Sequence, residues 1–247
     1  FMVRVFTGPK TLKAGSGTEL KFSLLVTPFM TLNPAHWNWR YYHPTGNEGT
    51  DQWLKTAKEK GANIVNIHHA KSITPYINYP FVNADEIKQF GDRLHQNDIR
   101  LKLYYTVREL SVRAREFWAF WSLGDEIFRE GPGFNPPEGK EYPVEDTIFG
   151  ASTGYPWLCE HLITDYISAW HHHLPNGQWD AALRTTGLSR LHNYYLEGLQ
   201  TLVEKVGIDG LYLDGIGYDR AVMQRVRKIL DRSADDCLID FHSGNTM

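Results

Sequence analysis

The chain reads as an α/β protein: a TIM-type (β/α)8 barrel truncated after about five strands and preceded by the tail of a β-sandwich domain. Three observations predict this. The length of 247 residues is close to the ~250 typical of one such barrel. From about residue 30 onward, apolar runs of strand length alternate with amphipathic runs of helix length, the pattern of a parallel sheet covered by helices. The run Gly210 to Leu213 is a buried strand that ends on a carboxylate, Asp214, and Gly215 and Gly217 then turn the chain into a new helix. (β/α) barrels present their functional groups at that end of a strand.

Residues 1–29 alternate and turn like the last strands of a sandwich: Val3 and Val5, then Gly8-Pro9, then Leu20, Phe22, Leu24 and Val26. A piece of that size cannot form its own core, so 1–29 is assigned to an upstream β-sandwich and 30–247 to the barrel. Within the barrel, Trp37 to His43 reads as the first strand and Thr50 to Lys60 as the helix after it. Ala62 to Ile67 is an apolar strand ending on His68-His69. A loop through Pro75 and Pro80 leads to an amphipathic helix from Ala84 to Asn97. Ile99 to Thr106 is the next strand, followed by Arg108-Glu109. Arg113 to Phe128 carries Phe117, Phe120, Trp121 and Leu123 at helical spacing. Residues 130–156 are rich in Gly and Pro and read as a loop at the mouth. Helices are predicted over 157–173 and 189–206, then the strand ending at Asp214, a helix over 219–231 and a fifth strand, Cys237 to Asp240.

Composition narrows the function classes. A net charge of -3 gives no electrostatic case for nucleic acid or an anionic membrane surface, and no apolar run reaches the roughly 18 residues that span a bilayer. The two cysteines, Cys159 and Cys237, make neither a disulfide framework nor a metal-binding pair. No phosphate loop, nucleophile-elbow serine or dinucleotide fingerprint occurs, and no cofactor is implied. The N-terminus, Phe1-Met-Val-Arg, lacks the pattern of a signal peptide. Aromatic residues make up 13% of the chain, material for sugar-stacking surfaces as well as for a large core.

The strand ends offer His68-His69, Arg108-Glu109, Asp214, and Asp240 with His242 to a common mouth. Cleavage of a glycosidic bond needs two carboxyl groups flanking it. Asp214 is the first candidate, as nucleophile or as stabiliser of the oxocarbenium-like transition state. Glu109, Glu160 and Asp240 are candidates for the second, as is a residue on a strand beyond Met247. His68, His69, Tyr105, Arg108, Arg220 and His242 are candidate ligands of substrate hydroxyls, and Trp157 and Tyr194 candidate stacking faces. Two other readings stay open. One is a barrel that binds carbohydrate without cleaving it. The other is a metal-dependent hydrolase in which Asp240 and His242, two apart on one strand face, join His68 or His69. His171-His-His173 is placed at a helix C-terminus, where cations suit the dipole.

Six segments taken together carry a resemblance: Asn66-Ile-His-His-Ala70, Asn78-Tyr-Pro-Phe81, Tyr104-Tyr-Thr-Val-Arg-Glu109, Trp157-Leu-Cys-Glu-His161, Ser189-Arg-Leu-His-Asn-Tyr-Tyr195 and Leu211-Tyr-Leu-Asp214. Over about residues 20–247 the chain resembles bacterial proteins related to glycoside hydrolase family 123. The resemblance implies a β-sandwich followed by a catalytic (β/α)8 barrel, a role in polysaccharide degradation and a secreted or periplasmic location. It also implies substrate-assisted cleavage by an Asp-Glu pair at a strand end. Here Asp214 is followed by Gly215, so the acid of that pair is absent, and a direct carboxylate mechanism like that of α-galactosidase-type barrels fits the local residues.

Overall fold

The computed structural model describes residues 6, 8–21, 33–43, 46, 48–130, 166, 168–186, 189–214, 219–233 and 237–242. The chain divides into two compact units, 1–38 and 39–247. In the first, the described residues contain a 3-10 turn, Pro34–Asn38, whose His36 Nδ1 lies 2.6 Å from the Asn33 carbonyl oxygen. The strands expected around Val3, Val5 and Phe22 to Val26 lie outside the described residues.

In the second unit a parallel sheet of five strands runs in the order β1, β2, β3, β7, β8. These are β1 (Tyr41–Tyr42), β2 (Ile64–Ile67), β3 (Arg100–Tyr104), β7 (Gly210–Asp214) and β8 (Leu238–His242). They are the five expected barrel strands, neighbours in the expected order. The first is shorter than predicted because its N-terminal part forms the Pro34–Asn38 turn. Helices α1 (Asp51–Glu59), α2 (Ala84–His95), α4 (Leu191–Thr201) and α5 (Arg220–Ser233) accompany the sheet, with a π-helical turn, Leu202–Val206, extending α4. No helix among the described residues is long and apolar enough to cross a membrane.

Local chemistry sets these elements. The Thr50 side chain caps α1 by accepting from Trp53 N at 3.2 Å. Asp219 does the same for α5 through Val222 N at 2.9 Å. In α2, Asp85 and Glu86 fall in the first turn and Arg93 and His95 in the last, both favourable with the helix dipole. Its buried Ile87, Phe90, Gly91 and Leu94 form one stripe. Such stripes pack on Val65, Ile67, Leu101, Leu103, Leu211 and Leu213, the outward set of alternating strand residues. The alternate set, Asn66, Lys102, Tyr104, Tyr212, Asp214, Asp240 and His242, therefore faces the barrel interior. Gly210 is on the same face by alternation, and it is glycine because a Cβ there would overlap the Leu238 backbone oxygen across the β7–β8 pair.

One region departs from the sequence reading. Between β3 and α4 the chain leaves the barrel and builds an antiparallel sheet in the order β4, β6, β5. Its strands are β4 (Glu109–Ser111), β5 (Ser168–His173) and β6 (Trp179–Arg184). The predicted helix over 157–173 is thus a strand from Ser168 onward; 157–165 lie outside the described residues. His171 to His173 sit on β5, not at a helix end. The cause is the hairpin turn between β5 and β6: Gly177 takes φ +78° and Leu174 N donates to Gln178 O at 2.7 Å, so the two runs pair with each other. The predicted helix 113–128 shortens to α3 (Phe117–Trp121) and a 3-10 turn, Gly124–Glu126, because Gly124 takes φ +57° between them. A second core of Leu110, Val112, Phe117, Phe128, Leu183 and Leu191 holds this sheet.

Asp180 on β6 ties the inserted sheet to the loop after β2. It is fully buried, and its carboxylate accepts from Ser111 Oγ at 2.6 Å and from Ile77 N at 2.6 Å. Burial pushes its carboxyl up to about 7. The folded protein therefore holds a proton there that the unfolded chain, at ~3.9, has lost. This contribution is complete below about pH 4 and fades as pH rises through about 7. Urea denaturation should show stability falling across that window by up to about 1.4 kcal/mol per pH unit from this group. Asp180→Asn should flatten the profile, and an unchanged slope would remove Asp180 as its source.

Candidate active site

The mouth is built where β3 and β7 end side by side. Tyr104, the last residue of β3, pairs in register with Tyr212 of β7, and Asp214 pairs with His242 of β8. Asp214 is one-fifth exposed. Its Oδ2 lies 3.2 Å from both Arg108 Nη1 and Tyr104 Oη, while its Oδ1 lies 3.0 Å from His242 Nδ1. Groups from the ends of the two neighbouring strands, Tyr104 at the end of β3 with Arg108 after it and His242 on β8, thus surround one carboxylate.

Glu109 sits behind it with a fully buried side chain. Its Oε1 accepts from Tyr104 Oη at 2.5 Å and its Oε2 from Arg108 Nε and Nη2, each at 3.4 Å. Burial raises the Glu109 carboxyl above the usual glutamate range, with the Arg108 charge pulling the other way. Burial, reinforced by Glu109, also pushes the Tyr104 hydroxyl far above its usual range, so it stays a donor. His69 Nδ1 lies 3.7 Å from Glu109 Oε1, but it accepts from Asn78 N at 3.3 Å. Burial drives His69 well below the usual histidine value, so this is a neutral ring beside a carboxyl and no ion pair. His68, pushed down to about 4 by burial, packs against Tyr104 with ring centres 4.4 Å apart.

One layer deeper, Lys102 is fully buried and its ammonium contacts Asp240 Oδ2. Burial pushes Lys102 down to about 7; the Asp240 carboxylate against it acts in the opposite sense. Tyr41 Oη donates to Asp240 Oδ1 at 3.4 Å. Asp240 is therefore the partner of a buried cation. No group of three His, Cys, Asp or Glu side chains among the described residues could hold a metal ion. The Asp240–His242 pair is divided between Lys102 and Asp214.

The structure brings together Asp214, Glu109, Arg108, His68, His69 and His242. It does not bring in Tyr105. That ring is on the opposite strand face, stacked on Tyr195 at 4.6 Å, with Tyr195 Oη donating to the Tyr105 carbonyl oxygen at 3.0 Å. Tyr194 packs on Phe120 in the second core and donates to Glu116 Oε2 at 3.1 Å, so it is no platform at the mouth. Arg220 is exposed on the first turn of α5. Glu160 and Trp157 lie outside the described residues.

Sequence reasoning passed over Tyr104 and Asn78. The alternation Leu101, Lys102, Leu103, Tyr104 was the signal for the first: with the leucines facing the helices, Tyr104 faces the barrel and Tyr105 cannot. Asn78 had no such signal. It is buried at φ +52°, a conformation asparagine tolerates better than most residues. Its side chain donates to Thr106 O at 2.7 Å and Glu109 O at 2.5 Å and accepts from Thr106 N at 2.7 Å. It thereby fixes the segment that carries Arg108 and Glu109.

Among solved structures, the chain is similar to a debranching enzyme from Nostoc punctiforme (16% identity, TM-score 0.49, covering 79% of this chain and 38% of that one). It is also similar to a maltogenic α-amylase, AmyB, from Thermotoga neapolitana (15%, 0.48, 83% and 45%). A third is the α-amylase of Geobacillus thermoleovorans in complex with acarbose (12%, 0.45, 76% and 38%). The chain spans less than half the length of each of these proteins. No curated protein matches it. The model of the glycoside hydrolase 123 TIM-barrel domain matches residues 33–247. With its parallel strands, covering helices and carboxylates at the strand ends, the chain belongs to that glycoside hydrolase family.

Proposed function

We propose that the mouth hydrolyses a glycosidic bond in a complex glycan and that Asp214 is the carboxylate acting at that bond. The observation that supports this is the placement of Asp214: partly exposed, on the inner face at the end of β7, and oriented by Tyr104, Arg108 and His242. A carboxylate so held can meet a developing oxocarbenium ion or an attacking water without reorganising. Glu109, sealed and paired on both oxygens, supports the site from behind and does not contact substrate. Arg108 and His242, both partly or largely exposed, bind sugar hydroxyls, the Arg through its planar fork.

The spacing bears on stereochemistry. One hydroxyl reaches both Glu109 and Asp214, so these two stand closer than the ~6.5–9.5 Å that admits water between an inverting pair. That spacing argues against an inverting pair only; what keeps Glu109 from the bond in this reading is its complete burial, and Asp214 is the acting group. The test is incubation of the protein with dinitrophenyl glycosides of galactose, N-acetylgalactosamine, glucose and glucuronic acid. Release of dinitrophenolate from at least one is expected. Saturable binding of these sugars with no release would assign the mouth to recognition alone.

A further inference from the structure

Tyr104 Oη lies 2.5 Å from Glu109 Oε1 and 3.2 Å from Asp214 Oδ2. A phenol has one proton to donate, so it cannot satisfy both carboxylates at once. The shorter contact has the length of a charge-assisted O–H···O bond, which places the proton toward Glu109. The oxygen lone pairs are then left for Asp214. In that arrangement Asp214, once protonated, becomes a donor to Tyr104.

We propose that Asp214, Tyr104 and Glu109 form a proton relay that carries the proton of the attacking water from the mouth into the protein interior. The relay rests on the assignment of Asp214 to the scissile bond. Asp214 Oδ2 takes a proton as the water oxygen bonds to the anomeric carbon. The Asp214 O–H bond then breaks as a new Tyr104 Oη–H bond forms, and the original Tyr104 Oη–H bond breaks as Glu109 Oε1–H forms. Asp214 ends anionic, Tyr104 unchanged and Glu109 neutral. The net movement is one proton from water to Glu109, and no oxidant or further reactant is needed.

Three features set the direction. Glu109 is sealed while Asp214 is one-fifth exposed, and burial penalises the Glu109 anion, so the interior position is the proton sink. Arg108 touches both carboxylates, at 3.2 Å and 3.4 Å, and balances whichever is charged. His69, the other titratable group against Glu109, already accepts from Asn78 N and does not compete as the sink. Tyr104 and Glu109 are thus positioning residues that act through Asp214.

A dinitrophenyl glycoside needs no acid for its leaving group, so its turnover isolates the water step. Tyr104→Phe and Glu109→Gln should each lower kcat roughly 10²-fold with KM little changed. Azide, a nucleophile that has no proton to lose, should restore turnover of Tyr104→Phe and yield the glycosyl azide. Wild-type kcat in Tyr104→Phe, or a loss that azide does not restore, would overturn the relay while leaving the function of Asp214 intact. A wild-type protein that cleaves none of the glycosides would overturn the function itself. Carboxyl 13C NMR checks the sink without turnover: Glu109 should titrate above an exposed glutamate and move down in Asp214→Asn, where a like charge is gone. An ordinary glutamate titration at Glu109 would also refute the relay.

Discussion

Asp214→Asn is expected to reduce hydrolysis by at least roughly 10²–10⁴-fold while leaving the melting transition almost unmoved. The substitution keeps the shape of the side chain. It leaves an oxygen to accept from Arg108, and it touches a group that is one-fifth exposed, so little packing is lost. It removes the charge that, in the function proposed, meets the anomeric centre. Among the described residues, neither Glu109, which is sealed, nor Asp240, which is held against Lys102, stands ready to replace it. Initial rates on the responsive dinitrophenyl glycoside, with thermal melting of both proteins, check this. Retained activity would remove Asp214 from the reaction. A large fall in melting temperature would reassign it to structure.

Asn78→Ala is expected to cost about 3–5 kcal/mol of stability, the range for leaving several buried groups unpaired. Its side chain satisfies Thr106 N, Thr106 O and Glu109 O, all buried where water cannot take over. Alanine also fits φ +52° less well than asparagine. Arg108 lies between the two anchored residues, so the variant should lose activity even under conditions where it remains folded. Asn78→Asp separates the two effects. It keeps the acceptor for Thr106 N but turns two donors into an anion facing two carbonyl oxygens, and should be at least as unstable as the alanine. Urea denaturation measures both, and a loss below about 1 kcal/mol for Asn78→Ala would show that the loop is held by other contacts.

The misreadings have separate causes. Tyr105 is a strand-end tyrosine like Tyr104, but the pleat distinguishes them: with Leu101 and Leu103 facing the helices, Tyr105 faces them too and Tyr104 faces the barrel. The inserted sheet was missed because His171 to His173 has no clear helical or strand period of its own. Its identity comes from pairing with β6. Glu109 was found as a strand-end acid, yet nothing local indicated that it would be enclosed. Its burial depends on His69, Tyr104 and Arg108 converging from two different loops and a strand.

The sequence by itself determined the five barrel strands, their order and the carboxylate at the end of β7. The strands follow from short-range periodicity, which fixes what a segment is and which face is apolar, and their order from the alternation of strand and helix that makes a parallel barrel. Only the tertiary structure decided that Asp214 is partly exposed, with Glu109 buried behind it and Tyr104 between them. That division rests on contacts between residues up to 110 positions apart, and on the burial those contacts create. Burial gives two carboxyl groups of similar chemistry different access to solvent, and a local pattern of residues does not carry that property.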